Sequence, residues 1–145
     1  MSAIKTPDTN LSGNQLCLDC LVVDDDPLIR LCLETIVVAA GHRVTSAADG
    51  AAAVRLIEAH PFDLVISDIR MPNLDGWGVF KAVRERSPST DVLLMTAYAT
   101  VPDSISALGL GAVDYLPKPV DAGELGLQLE EISDRRKRNL THEHR

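Results

Sequence analysis

Aromatic side chains are nearly missing from this chain: two Phe, two Tyr and one Trp among 145 residues. Any core must therefore be packed from Val, Leu, Ile and Ala. Long apolar runs are missing too. None approaches the roughly 18 residues that a membrane-spanning helix needs. The stretch Met1 to Gln15 carries no apolar segment of the secretory-signal kind and reads as a loose leader. Cysteine is scarce, with three residues. Cys17 and Cys20 form a C-x-x-C, a spacing that can signal redox or zinc chemistry. They lead into an apolar strand, however, where residues three apart face opposite sides. Their Cα atoms would lie about 10 Å apart, beyond the roughly 7 Å reach of a disulfide. No second Cys/His pair stands at zinc spacing. Cys32 lies in a helical pattern and is expected in the core. This cysteine usage fits a reducing, cytoplasmic setting.

What is present is an ordinary globular balance, 46% hydrophobic and 24% charged. The formal net charge is −7, unevenly spread. Residues 134–145 hold five cations, Arg135, Arg136, Lys137, Arg138 and Arg145, against Asp134 and Glu143. The rest of the chain has nine cations against nineteen anions. An acidic body excludes the basic surface expected of a nucleic-acid-binding domain. Two readings of the basic run stand, a contact with nucleic acid and, the favoured one, a solvated helix end, where cations suit the negative end of the helix dipole. The implied division is a leader over 1–16, one folded domain over 17–133, and a basic tail or start of a linker over 134–145.

Five short apolar runs alternate with five helical patterns. The strands are expected at Leu18–Val23, Arg43–Ala47, Leu64–Ser67, Val92–Thr96 and Val113–Leu116. The first helix runs Pro27–Ala40, with Asp26 as N-cap, Pro27 at its first position and Gly41 at its stop. Its inward stripe is expected to be Ile29, Leu33, Ile36 and Ala40. Asp49 caps a second helix reaching Ala59, with Val54 and Ile57 inward. A third spans Gly76–Arg86, with Val79, Phe80 and Val83 inward. Thr100 and Asp103 resemble a capping box for a fourth, which carries Val101, Ile105 and Leu108. Asp121 and Glu124 precede a fifth, with Leu125, Leu129 and Ile132 at i, i+4, i+7. Near-continuous apolar strands fit a parallel sheet buried on both faces. The alternation predicts a doubly wound α/β domain.

In such a sheet ligands bind beyond the carboxyl ends of the strands. Strand one ends in Asp24, Asp25 and Asp26, strand three in Asp68 and strand four in Thr96. Strand five is followed by Lys118 and Pro119. Crowded carboxylates repel each other, and a hard divalent cation such as Mg²⁺ relieves this. A carboxylate beside such a cation can take up a phosphoryl group. A lysine and a hydroxyl can steady the phosphoryl oxygens. Asp26 suits capping better than catalysis.

The segments LVVDDDP (21–27), VISDIRMPNLDG (65–76), LLMTAYAT (93–100) and GAVDYLPKP (111–119) together resemble the signature blocks of response-regulator receiver domains. The flavour is closest to receivers of the nitrogen-regulator type, and the likeness runs from about Leu18 to Ile132. It implies a flavodoxin-like fold of five parallel strands flanked by five helices. It implies a two-component phosphorelay role, with Asp68 as phosphoacceptor and a sensor histidine kinase or phosphotransfer protein as donor. Mg²⁺ or Mn²⁺ would be held by Asp25 directly, by Asp24 through water or by orientation, by Asp68, and by the backbone carbonyl of Arg70. Thr96 and Lys118 would contact the phosphoryl group, and Ala97 would leave it room. Thr96 and Tyr115 would form the switch, and the bond before Pro119 would be cis. Arg70 and Tyr98 would frame the path of attacking water and tune the lifetime of the acyl phosphate. A homodimer or partner contact would use the fourth helix, fifth strand and fifth helix, Val101 to Ile132. Neither a membrane nor nucleic acid is expected as a partner of this domain. Beyond self-phosphorylation from small donors and self-dephosphorylation, no enzymatic activity is expected.

Two rival readings stand beside this one. Asp24-x-Asp26 after a strand, with a later Thr and Lys, is similar to haloacid-dehalogenase-type phosphotransferases. There the expected Thr or Val is replaced by Leu28, no acidic motif follows strand four, and Asp68 goes unexplained. The other rival is an interaction module of the same fold that never meets phosphate, which leaves the full set of polar residues at the strand ends unexplained.

Overall fold

The structure is a computed structural model, and it describes residues 16–97 and 114–143. The elements run β1 (Asp19–Val23), α1 (Pro27–Ala39), β2 (Arg43–Ala47), α2 (Gly50–Ala59), β3 (Leu64–Asp68), α3 (Gly76–Arg86), β4 (Asp91–Thr96), β5 (Asp114–Pro117) and α4 (Ala122–Glu143). The expected helix between β4 and β5, with Thr100, Val101, Asp103, Ile105 and Leu108, lies outside the described residues, as do Tyr98 and most of the leader. The helix expected fifth is thus α4.

All five strands are parallel, in the order β2-β1-β3-β4-β5. The pleat sends alternate side chains to opposite faces, and each face carries its own core. Leu21, Val23, Val65, Val92 and Leu94 meet Ala53 and Ile57 of α2 and Val79, Phe80 and Val83 of α3. Cys20, Val22, Leu64, Ile66, Leu93 and Met95 meet Leu33 and Val37 of α1 and Leu125, Leu129 and Ile132 of α4. From β1 the chain steps to β2 on one side, then crosses back over β1 to β3 on the other. The sheet's switch point, where a crevice opens at the carboxyl ends, lies between β1 and β3.

Helix faces match expectation in part. In α1 the expected stripe does face the core: Leu33 is buried, together with Val37, and Ile29, Ile36 and Ala40 are half-buried and packed against the same cluster. Positions 30, 33 and 37 share one stripe, and Arg30 at its head reaches back to the Asp24 carbonyl at 2.8 Å. That rotation turns Cys32 outward, so it is exposed and not a core residue. In α2 the buried stripe is Gly50, Ala53 and Ile57, and Val54 is half-buried. The helix start is pressed against the loop before α3. A Cβ at Gly50 would lie 2.2 Å from the Leu74 carbonyl oxygen.

The basic run is not simply solvated. α4 continues without a break to Glu143, and Arg135 and Arg136 fold back as half-buried ion-pair partners of Asp91 and Asp63. The reason is the acidic start of two strands, which offers these guanidiniums better partners than water. No described helix is long and apolar enough to cross a membrane.

Candidate functional site

The strand ends deliver their side chains to one place because the register aligns them. Asp68 is the last residue of β3 and pairs with Met95. Thr96 ends β4 opposite Pro117 of β5. Asp24 follows β1 directly, and its amide donates to the Ala47 carbonyl of β2 at 3.3 Å. The Lys118 amide donates to the Thr96 carbonyl at 2.8 Å, and the Lys118–Pro119 bond is cis.

Asp24, Asp25 and Asp68 each bring a carboxylate oxygen within 4.8 Å of the others. Asp24 is fully buried, Asp68 is 5% exposed, and Asp25 is open to solvent. Lys118 Nζ lies 3.1 Å from Asp24 Oδ2 and 3.1 Å from Asp68 Oδ2, bridging the two buried acids. Burial pushes the Asp68 carboxyl above the ordinary carboxylate range. The Lys118 hydrogen bond and charge pull it back in part, and Asp24 adds to the rise. Burial alone would lower the Lys118 ammonium. Its hydrogen bonds to Asp24 and Asp68 outweigh that and raise it. One ammonium neutralises one of three carboxylates, so the cluster retains an excess of negative charge.

The supporting contacts are local. The Asp26 amide donates to Asp24 Oδ1 at 2.9 Å, while the Asp26 carboxylate caps α1 by accepting from the Leu28 amide at 2.9 Å. That cap occupies Asp26 away from the cluster. The Arg70 amide approaches Asp68 Oδ1 at 3.4 Å. Thr96 is buried at the end of β4. Ala97 is exposed beside it, and Tyr115 is half-buried against the α2–α3 core.

Three contributors were not foreseen from the sequence. Arg30 grips the Asp24 carbonyl, a contact across six residues that no motif announces. Gly76 lets α3 start directly behind Asp68, since a Cβ there would lie 2.4 Å from the Asp68 carbonyl oxygen and 2.7 Å from Ile69 Cα. Its place at the start of the expected third helix did not announce this close approach. Asn73, at φ 67°, carries the left-handed step of the same loop.

Three carboxylates are hard oxygen donors in number and type suited to Mg²⁺, which favours a few carboxylates completed by water and phosphate oxygens. With an exposed member at the rim and an amine deeper in, the cluster can receive a cation and an anionic group side by side.

Comparison with known proteins agrees with this geometry. The family model described as the response regulator receiver domain matches residues 20–130. The chain is 42% identical over 121 residues to the transcriptional regulatory protein ZraR of Klebsiella oxytoca, covering 83% of this chain and 27% of that protein. It is 41% identical over 103 residues to the DNA-binding transcriptional regulator NtrC of Escherichia coli, covering 71% and 22%. It therefore spans about a quarter of the length of these relatives. Among solved structures, chemotaxis protein CheY4 of Vibrio cholerae superposes with a TM-score of 0.75 at 31% identity, covering 81% of this chain and 99% of that one.

Proposed function

Starting from the premise that the chain belongs to the response-regulator receiver family of two-component systems, with relatives of the nitrogen-regulator type, we propose that it is a phosphoacceptor switch with Asp68 as the acceptor. The observation that carries this is the position of Asp68. It is a nearly buried carboxylate at the switch point of the sheet, within 3.1 Å of an ammonium and beside two further carboxylates. Residues 17–133 form the receiver unit in this reading.

The step is a phosphoryl transfer. An Asp68 oxygen attacks phosphorus in line, and a new P–O bond forms. The bond from phosphorus to the donor's leaving atom breaks, and the electron pair departs with that atom. The donor is a histidine phosphorylated on a sensor kinase or phosphotransfer protein, or a small acyl phosphate. In this reading Lys118 pairs with the incoming phosphoryl oxygens, and the Thr96 hydroxyl contacts them. Asp24, Asp25 and the Arg70 carbonyl, with Asp68, would hold Mg²⁺ or Mn²⁺. The bound cation would offset the negative charge that collects as the groups approach. Arg70 and Tyr98, the latter outside the described residues, are the side chains expected to restrict hydrolytic water and lengthen the phosphorylated state. Phosphorylation draws Thr96 inward, turns Tyr115, and changes a partner or dimer face within Val101 to Ile132.

The test follows amide resonances while Mg²⁺ and then beryllofluoride, a phosphoryl mimic, are added. We expect saturable Mg²⁺-dependent shifts around Asp24, Asp25 and Asp68 that spread to Tyr115 once the mimic binds. An Asp25→Ala protein should bind Mg²⁺ more weakly. Unchanged spectra in the wild type, or wild-type Mg²⁺ binding in Asp25→Ala, would refute the assignment.

A further inference from the structure

The opposite, amino edge of the sheet carries a second set of acids. Asp19, Asp63 and Asp91 stand at the starts of β1, β3 and β4. The Asp63 amide donates to the Asp19 carbonyl at 2.8 Å and the Asp91 amide to the Asp63 carbonyl at 3.0 Å, so these three residues lie side by side. Adjacent carboxylates would repel, yet each has a partner. Asp63 accepts from the Asp19 amide at 2.8 Å, and His60 Nε2 lies 2.9 Å from Asp19 Oδ2. The remaining partners come from the far half of α4. Arg136 donates to Asp91 Oδ2 at 3.0 Å, to Asp63 Oδ1 at 3.2 Å and to the Ser89 carbonyl at 3.0 Å. Arg135 forks onto both oxygens of Asp91 at 3.3 Å. One turn earlier, the Ser133 hydroxyl donates to the Leu16 carbonyl at 3.0 Å.

These contacts are needed where they occur. The core-facing residues of α4 end at Ile132. After Ser133 and Asp134 come four consecutive cations, which repel within a turn, and then Asn139 and Thr141, which are poor helix formers. Residues 134–143 extend a helix begun at Ala122, so they need no new nucleus. A solvated end of this composition frays readily, yet α4 runs to Glu143. The Asp91 side chain is only 13% exposed and that of Arg136 21%, so salt screens their pairing less than it does surface pairs. We propose that Arg135 and Arg136 form a latch that fixes residues 134–143 of α4 to the amino edge of β3 and β4. The latch makes that part of the helix a rigid arm of the domain, and the basic run serves Asp63 and Asp91 as internal counter-charge. β3 and β4 are also the strands whose opposite ends carry Asp68 and Thr96, so the arm is anchored to the same two strands as the site. The latch itself does not depend on the chemistry at Asp68.

The test is amide hydrogen exchange on the full chain, comparing wild type, Arg135→Ala/Arg136→Ala and Asp91→Asn. Amides of residues 134–143 should lose protection by about tenfold or more in both variants, because local opening no longer breaks the ion pairs. Amides of 64–67 and 92–95 should keep wild-type protection. Wild-type protection of 134–143 in the double arginine variant would overturn the latch. So would a loss spread equally over β3 and β4, since that would make the arginines part of global stability rather than a local fastening.

Discussion

At the scale of single residues, the site depends on groups with no chemistry of their own. Gly76 begins α3, where replacing glycine by alanine ordinarily favours a helix by about 1 kcal/mol. Here the added methyl would meet the Asp68 carbonyl and Ile69. Gly76→Ala should therefore destabilise by about 1–3 kcal/mol, as overpacking does, and urea unfolding reads the sign directly. Away from the site, at the amino side of the sheet, His42 supports the fold. It is 1% exposed, and its Nδ1 accepts the Leu18 amide at 3.0 Å. Burial holds its imidazole below the ordinary value, against a smaller upward push from Asp63. The folded state therefore binds this proton less readily than the unfolded chain. Stability is intact above the unfolded imidazole value of about 6.5 and is lost as pH falls from there toward the lowered folded value. An asparagine at this position can accept the same bond without titrating. Between roughly pH 6.5 and 5, wild type should lose stability more steeply than His42→Asn; parallel curves would remove His42 from the explanation. Neither role was legible in the sequence. The Leu18–His42 bond spans 24 residues and the His60–Asp19 pair 41, and no local pattern encodes contacts made only when strands align.

At the scale of elements, periodicity and capping signals placed the pieces well. The ends of α3 match the expected ones, and the expected caps Asp26, Asp49 and Asp121 accept from amides two or three residues on, as does Asp75, a cap not foreseen. Rotation about each helix axis was less legible. Apolar residues occupy more than half the turn in α1, so hydrophobicity alone left several stripes open. The structure chose Leu33 and Val37, leaving Leu28 and Leu31 at 68% and 57% exposure. Leu33→Ala should cost about 2–5 kcal/mol, as buried truncations do. Leu31→Ala should stay within about 0.5 kcal/mol of wild type. Comparable losses in thermal or denaturant unfolding would mean that α1 is rotated from the orientation described. The ion pairs of α4 escaped the sequence for the same physical reason as the histidines: Arg136 and Asp63 are 73 residues apart. A basic run looks the same in sequence whether its partner is water or a buried strand end.

At the scale of the whole molecule, charge and topology explain each other. A parallel sheet gathers every strand's carboxyl end on one edge and every amino end on the other. This chain loads both edges with acids and answers them differently. At the amino edge, Asp63 and Asp91 are met by arginines of the same chain. At the carboxyl edge a single lysine faces Asp24 and Asp68, with Asp25 exposed nearby. The first edge is closed and structural, while the second keeps an excess of negative charge, which the proposed function assigns to a cation and a phosphoryl group. This contrast was half legible in advance, because the carboxyl-edge residues sit in contiguous motifs and the amino-edge partners do not. The most direct measurement of the central claim is intact mass after incubation with acetyl phosphate, with and without Mg²⁺, for wild type and Asp68→Asn. Wild type should gain one phosphoryl group only when Mg²⁺ is present, and Asp68→Asn should gain none. A phosphoryl group acquired by Asp68→Asn at the wild-type rate, or a wild type that never acquires one, would contradict the account.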